Sequence, residues 1–218
     1  MAIYAFTTPL LAAAGLVLLP AMVSANDTCP RGPVDFSAPE PVAASKVHSV
    51  FDDLEPAGSV VLADLRTGVT SQLAILEPND PVWFVRVAST PALNGKAWMK
   101  IAALPDSKGL VAAVEHQIEG PGWEVIMLLS PDDGYSWEVV ACIQKPRFEA
   151  LVDRLDMTSP TDGSLTLRLD VGDDKDGTYA SHTKDGGRTW SELRRIGDVA
   201  PDQPIERTAK PPLIGRKR

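Results

Sequence analysis

Cysteine and histidine, which often serve as nucleophile, base or metal ligand, are scarce in this chain. Of its 218 residues only two are cysteine and three histidine. His48, His116 and His182 stand far apart, with no His-x-His or His-x-x-x-His pair, which argues against a zinc site. Glu115-His116 is the one His–carboxylate neighbour pair, and adjacent residues of a strand point to opposite faces. There is no Gly-x-Ser-x-Gly elbow and no glycine-rich phosphate loop, so the usual serine hydrolases and phosphate-binding folds are disfavoured. No long helical stripe occurs. The best short one is Phe148, Leu151, Val152 and Leu155, which also reads as a strand between two units.

Charge is missing altogether before Asp27. The uncharged start holds the apolar run from Pro9 to Val23 and ends in Val23-Ser24-Ala25, a small-x-small pattern for signal peptidase. Residues 1–25 therefore read as a signal peptide. The alternative is an uncleaved anchor, disfavoured by Pro9, Pro20 and the many alanines. Cleavage leaves no stable membrane span and a periplasmic or secreted chain. Two cysteines suit that compartment, and Cys29 and Cys142 can pair as a disulfide. The alternative is a buried Cys142 and an arm too mobile to pair.

The net charge is −8. Arg207, Lys210, Arg216, Lys217 and Arg218 form a stretch without an acidic residue, and removing those five charges leaves −13 on the remainder. An acidic body argues against nucleic acid as a partner. Residues 198–218 read as a basic disordered tail, either an electrostatic docking arm or a solubilising end. Residues 26–57, rich in Pro, Ala and Ser, read as a loose arm.

Two short stretches say nearly the same thing. Ser130-Pro-Asp132-Asp-Gly134-Tyr-Ser136-Trp137 and Thr183-Lys-Asp185-Gly-Gly187-Arg-Thr189-Trp190 share the pattern S/T-x-D-x-G-x-S/T-W. An Asp carboxylate can accept bonds from amides of its own turn. Gly supplies a positive φ. The hydroxyl caps the turn, and the Trp enters the next strand as a core anchor. The pattern resembles the Asp box, or bacterial neuraminidase repeat, of sialidase-like β-propellers. That resemblance implies β-hairpins in blade-like sheets, with box residues Ser130, Asp132, Gly134, Ser136, Trp137, Thr183, Asp185, Gly187, Thr189 and Trp190 in structural roles remote from catalysis.

From residue 58 onward, short apolar or alternating runs separated by turn residues predict an all-β, antiparallel domain over 58–197. Strands before each box align two units, 104–146 and 147–197. A degenerate third copy, Asn94-Gly95-Lys96-Ala97-Trp98, defines 58–103. Three blade-like sheets make a partial or small β-propeller whose open edges need covering, by residues 26–57, by self-association or by a partner. A β-sandwich of the same hairpins is the other packing.

A sialidase needs three arginines on the substrate carboxylate, a Tyr–Glu nucleophile and an Asp acid/base. Only Phe84-Val-Arg86-Val approaches the family's arginine motif, and it lacks the Pro. No catalytic residue is assigned, and no cofactor beyond a candidate calcium loop at Asp173, Asp174 and Asp176. That loop has Gly where the first ligand should be and Thr183 where a Glu should close it. Trp83 and Trp123 are candidate sugar-stacking rings beside Glu115 or Glu124. The leading function is a non-catalytic module that binds or assembles with a protein partner. The alternatives are a glycan-binding or glycoside-hydrolase-related protein, and a structural subunit closed by self-association. If the two box tryptophans are equivalent anchors, Trp137→Ala and Trp190→Ala each cost about 3–5 kcal/mol.

Overall fold

Apolar side chains at every second residue, cut by turns of Gly, Asp and Pro, produce strands almost throughout. The computed structural model describes residues 29–67, 70–89, 99–117, 123–147, 149–170 and 172–198. In chain order these form β1 (Gly32–Pro33), β2 (Glu40–Ala43), the short helix α1 (Val47–Val50), β3 (Phe51–Ala57), β4 (Val60–Thr67), β5 (Thr70–Asn79), β6 (Val82–Val87), β7 (Met99–Ala103), β8 (Leu110–Gln117), β9 (Trp123–Ser130), β10 (Glu138–Gln144), β11 (Leu151–Met157), β12 (Gly163–Leu169), β13 (Gly177–Thr183) and β14 (Arg194–Gly197).

These build three antiparallel sheets, none closed. Their strand orders are β2-β6-β5-β4-β3, β1-β10-β9-β8-β7 and β11-β12-β13-β14. Each is a meander of four consecutive strands. The first strands of the three meanders lie in series, β3 beside β7 and β7 beside β11.

The middle sheet is apolar on both faces because both are covered. Leu110, Ala112, Val114, Ile126 and Leu128 meet Val60, Leu62, Leu73 and Ile75 of the first sheet. The opposite face, with Val111, Ala113, Val125 and Met127, meets Val152, Leu155, Leu165 and Leu167 of the third. The far face of the first sheet, with Val61, Ala63, Ala74 and Leu76, packs on Val47 and Phe51 from α1 and the start of β3. In β12 burial alternates strictly, so the third sheet turns Leu165 and Leu167 inward and Ser164, Thr166 and Arg168 toward the other side.

Between the second and third sheets lies a buried ion pair. Lys145 Nζ donates to Glu115 Oε2 at 2.7 Å, and Glu115 Oε1 accepts the Val152 amide at 2.5 Å. Burial pushes the Glu115 carboxyl up, outweighing the attraction of Lys145.

Several sequence expectations change. The segment 26–57 is not a loose arm from Cys29 onward. β3 pairs with β4, so the expected boundary at 58 falls inside a hairpin. β1 and β2 add fifth strands to β10 and β6, and Phe36 bridges to Ala88 between them. The strap is tied by Val34 N to Trp137 O and Ser37 N to Val87 O, both 2.8 Å. Met99–Ala103, assigned to the unit 58–103, belongs to the second sheet. The degenerate copy at 94–98 lies outside the described residues. In the first sheet the turn equivalent to the repeats is Asn79-Asp80-Pro81, with a cis Asp80–Pro81 peptide and no S/T-x-D-x-G pattern. Of the two readings of the run that includes Leu151, Val152 and Leu155, the strand holds, as β11.

Cys29 and Cys142 form a disulfide with Cα atoms 5.6 Å apart across a sequence separation of 113. The bond pins the strap to β10. Replacing both cysteines by serine is expected to lower the unfolding free energy by about 2–5 kcal/mol. Urea denaturation with and without reductant checks this, since the wild type in reductant should match the variant. The tryptophans are not equivalent either. Trp137 is 2 % exposed between the first and second sheets, whereas Trp190 is half-buried between the second and third. Trp137→Ala should cost about 3–5 kcal/mol, and Trp190→Ala clearly less, measured as unfolding free energies.

Candidate functional site

The two repeated turns are the same structure, bond for bond. In the first, Ser130 Oγ accepts the Gly134 amide at 2.8 Å and donates to Asp132 Oδ1 at 3.0 Å. Asp132 accepts the Ser136 amide at 2.8 Å and its hydroxyl at 2.7 Å. Trp137 Nε1 donates to the Gly134 carbonyl at 3.0 Å. In the second, Thr183 Oγ1 accepts the Gly187 amide and donates to Asp185, each at 2.9 Å. Asp185 accepts the Thr189 amide at 2.9 Å and its hydroxyl at 2.6 Å. Trp190 Nε1 donates to the Gly187 carbonyl at 2.8 Å. Gly134 and Gly187 sit at φ 90° and 89°, a conformation that suits glycine.

Each turn is also fastened outward in the same way. Asp133 N donates to Lys108 O at 2.7 Å, and Gly186 N to Thr161 O at 2.9 Å, in the turn between the first two strands of its own sheet. Each glycine meets the preceding sheet. A Cβ on Gly134 would lie 2.7 Å from Val60, and one on Gly187 2.8 Å from Val111. The polar side chains of the repeat are thus engaged in holding the turn.

Where the first turn meets the first sheet there is a cleft of about 340 Å³. Ser59, Val60, Glu77, Pro78, Asn79, Phe84, Asp133 and Tyr135 line it. Tyr135 is 69 % exposed. Arg86 stands beside the cleft, donating to the carbonyls of Tyr135 at 2.8 Å and Gly134 at 2.6 Å and bridging Glu77 at 2.9 Å. Its guanidinium lies 5.7 Å from the Phe36 ring centre, so the strap supports it as well. The arrangement offers carboxylates, an amide and an exposed ring, suited to binding. No sequence motif marks this cleft. Asp133 and Tyr135 fill unpatterned positions of the turn, and Glu77 and Asn79 carry no motif.

The other candidates are dispersed. Glu115 is not a surface carboxylate beside a tryptophan but the buried partner of Lys145. Glu124 is also buried, and burial pushes its carboxyl up. Trp83 is half-buried against the first sheet's far face, in the cluster of Val61, Leu76 and Val85. The Trp123 side chain lies outside the described residues. In the acidic turn, Asp176 Oδ2 accepts the amides of Gly172 at 2.7 Å and Asp173 at 3.1 Å, Asp173 Oδ1 accepts the Lys175 amide at 2.9 Å, and Asp173 Oδ2 pairs with Arg147. Among the described residues no three His, Cys, Asp or Glu side chains converge as a metal cage. No described helix is long and apolar enough to cross a membrane.

No protein-family profile, no curated protein and no solved structure matches this chain.

Burial pushes the carboxyls of Asp132 and Asp185 up. The hydrogen bonds from Ser136 and Ser130 on the first, and from Thr189 and Thr183 on the second, outweigh it and hold both below the usual range. A lowered native value means that the native state binds fewer protons than the unfolded chain. The stabilisation is then complete above the unfolded value and lost as pH falls through the native one. The gap in urea midpoint between wild type and an Asp132→Asn, Asp185→Asn variant should be constant from about pH 7 to pH 5 and narrow below about pH 4. A gap still flat at about pH 2 would contradict the assignment.

Proposed function

We propose that this chain is an exported, non-catalytic Asp-box protein that binds a protein partner through a sheet edge. Its three sheets act as consecutive blades of an open, propeller-like fan. The bond-for-bond identity of the two turns supports the Asp-box reading. The serial placement of β3, β7 and β11 supports the blade reading, as innermost strands would lie. The Cys29–Cys142 disulfide suits an oxidising compartment outside the cytoplasm.

The observation that carries the binding role is an asymmetry at the outer edges. The outer strand of the first sheet is covered by β2 and that of the second by β1. The outer strand of the third, β14, has no covering strand among the described residues. All four residues of β14 are exposed, and Ile196 is 63 % exposed at a bulge that leaves it opposite no residue of β13. An open edge takes up a strand by main-chain pairing. Arg194 and Arg195 on that edge discourage indiscriminate pairing and favour an acidic partner strand.

The test is affinity capture of tagged wild type and Ile196→Asp from the exported fraction of the native host. Wild type is expected to retain a stoichiometric partner that the variant loses, with an unchanged unfolding midpoint. Equal recovery by both, or no partner with either, overturns the edge as the binding surface.

A further inference from the structure

The two turns agree at every patterned position and differ at the three between them. Those are Pro131, Asp133 and Tyr135 in the first, and Lys184, Gly186 and Arg188 in the second. Their side chains take no part in the bonds that the two turns share. Two of the three in the first turn line the cleft. Asp133 holds φ 58° where the second turn has Gly186 at φ 71°. Glycine takes that conformation at lower cost, yet an Asp is placed there. Its Oδ1 accepts the Ser59 amide at 3.3 Å. Gly58 leaves the necessary room, since a Cβ there would lie 2.5 Å from that oxygen.

The cleft is acidic and aromatic. Glu77 and Asp133 face it, with the rings of Phe84 and Tyr135 and the Asn79 amide, and among the described residues no Lys or Arg lines it. The guanidinium of Arg86, beside the cleft, is held by two carbonyls as well as Glu77. The Asp133 carboxylate, with Glu77 shared with Arg86, beside an exposed ring suits a guanidinium or ammonium group, through charge-assisted hydrogen bonds and attraction to the ring face.

We propose that this cleft receives cationic side chains of a basic peptide, and that the chain's own stretch 207–218 supplies them, from the same molecule or from a second copy. That stretch carries five basic residues and no acidic one, against −13 on the remainder. The described residues end at Asp198, and the eight residues 199–206 reach about 26 Å when extended at ~3.3 Å each. The cleft lies apart from the β14 edge, so this inference stands or falls separately from the partner-binding reading.

The experiment compares amide NMR spectra of the full chain with a full-length variant in which Arg207, Lys210, Arg216, Lys217 and Arg218 are all serine. The amides of Ser59, Gly134 and Tyr135 are expected to differ between the two. A synthetic peptide of residues 207–218, added to the serine variant, should return them to their wild-type positions. Adding Asp133→Asn should weaken that binding about tenfold, because Asn keeps the left-handed turn and an acceptor for Ser59 but loses the charge. Raised salt should weaken it too. A monomeric native mass assigns the segment to its own cleft, and a dimeric mass to a second copy; both support the inference. Cleft amides identical with and without the basic side chains overturn it. So does a peptide that binds equally to the Asp133→Asn form, or one that shifts only amides elsewhere.

Discussion

The close approach of Gly134 to Val60, and of Gly187 to Val111, governs how the sheets stack. A turn backbone pressed onto the second strand of the preceding sheet leaves no space for a side chain. The Asp and Ser or Thr side chains hold the loop in the shape that makes this contact. The tryptophan, hydrogen-bonded to the same glycine's carbonyl, then fills the gap behind it. One eight-residue element therefore closes a hairpin, sets a left-handed backbone and joins two sheets. Its repetition in the second and third sheets gives both interfaces the same joint.

The N-terminal strap solves a different problem. A stack of meanders exposes the outer strand of every sheet. Residues 32–43 run across the outer strands of the second and first sheets in turn, pairing with β10, bridging to Ala88 and pairing with β6. The disulfide anchors the strap at its start. The strap also brings Phe36 against Arg86, and through Arg86 it supports the first repeated turn and the wall of the cleft. The third sheet receives no such cover among the described residues. The open edge belongs to the third sheet, whereas the cleft is built where the covered first and second sheets meet.

Charge follows the same division between framework and surface. Glu115 and Lys145 are buried together between the second and third sheets, where removing one partner would leave an uncompensated charge. Asp132 and Asp185 are saturated with donors. Asp133 and Tyr135 differ from these because they sit in the positions that the turn does not need, and Glu77 reaches the same cleft from β5. Their chemistry is available for recognition because the fold is complete without it.

The sequence by itself determined the strands with clear alternation, the two repeated turns and the identity of the anchoring tryptophans. These are encoded locally, in side-chain period and in hydrogen bonds that span four residues or fewer. It left β1, β2 and β3 unrecognised and β11 open between a helical turn and a strand. The first two are short and contain proline, β3 carries Asp52, Asp53 and Pro56, and β11 follows a break at Lys145-Pro146. Strands of that kind form because a neighbouring edge or face stabilises them. Only the tertiary structure decided that the strap is ordered, that Met99–Ala103 belongs with the second sheet and that Trp190 is less buried than Trp137. It alone brought Glu77, Asn79 and Phe84 to Asp133 and Tyr135, residues about fifty positions apart in sequence. Local pattern records what each residue does to its own backbone, whereas burial, edge covering and convergence depend on which sheet stacks against which.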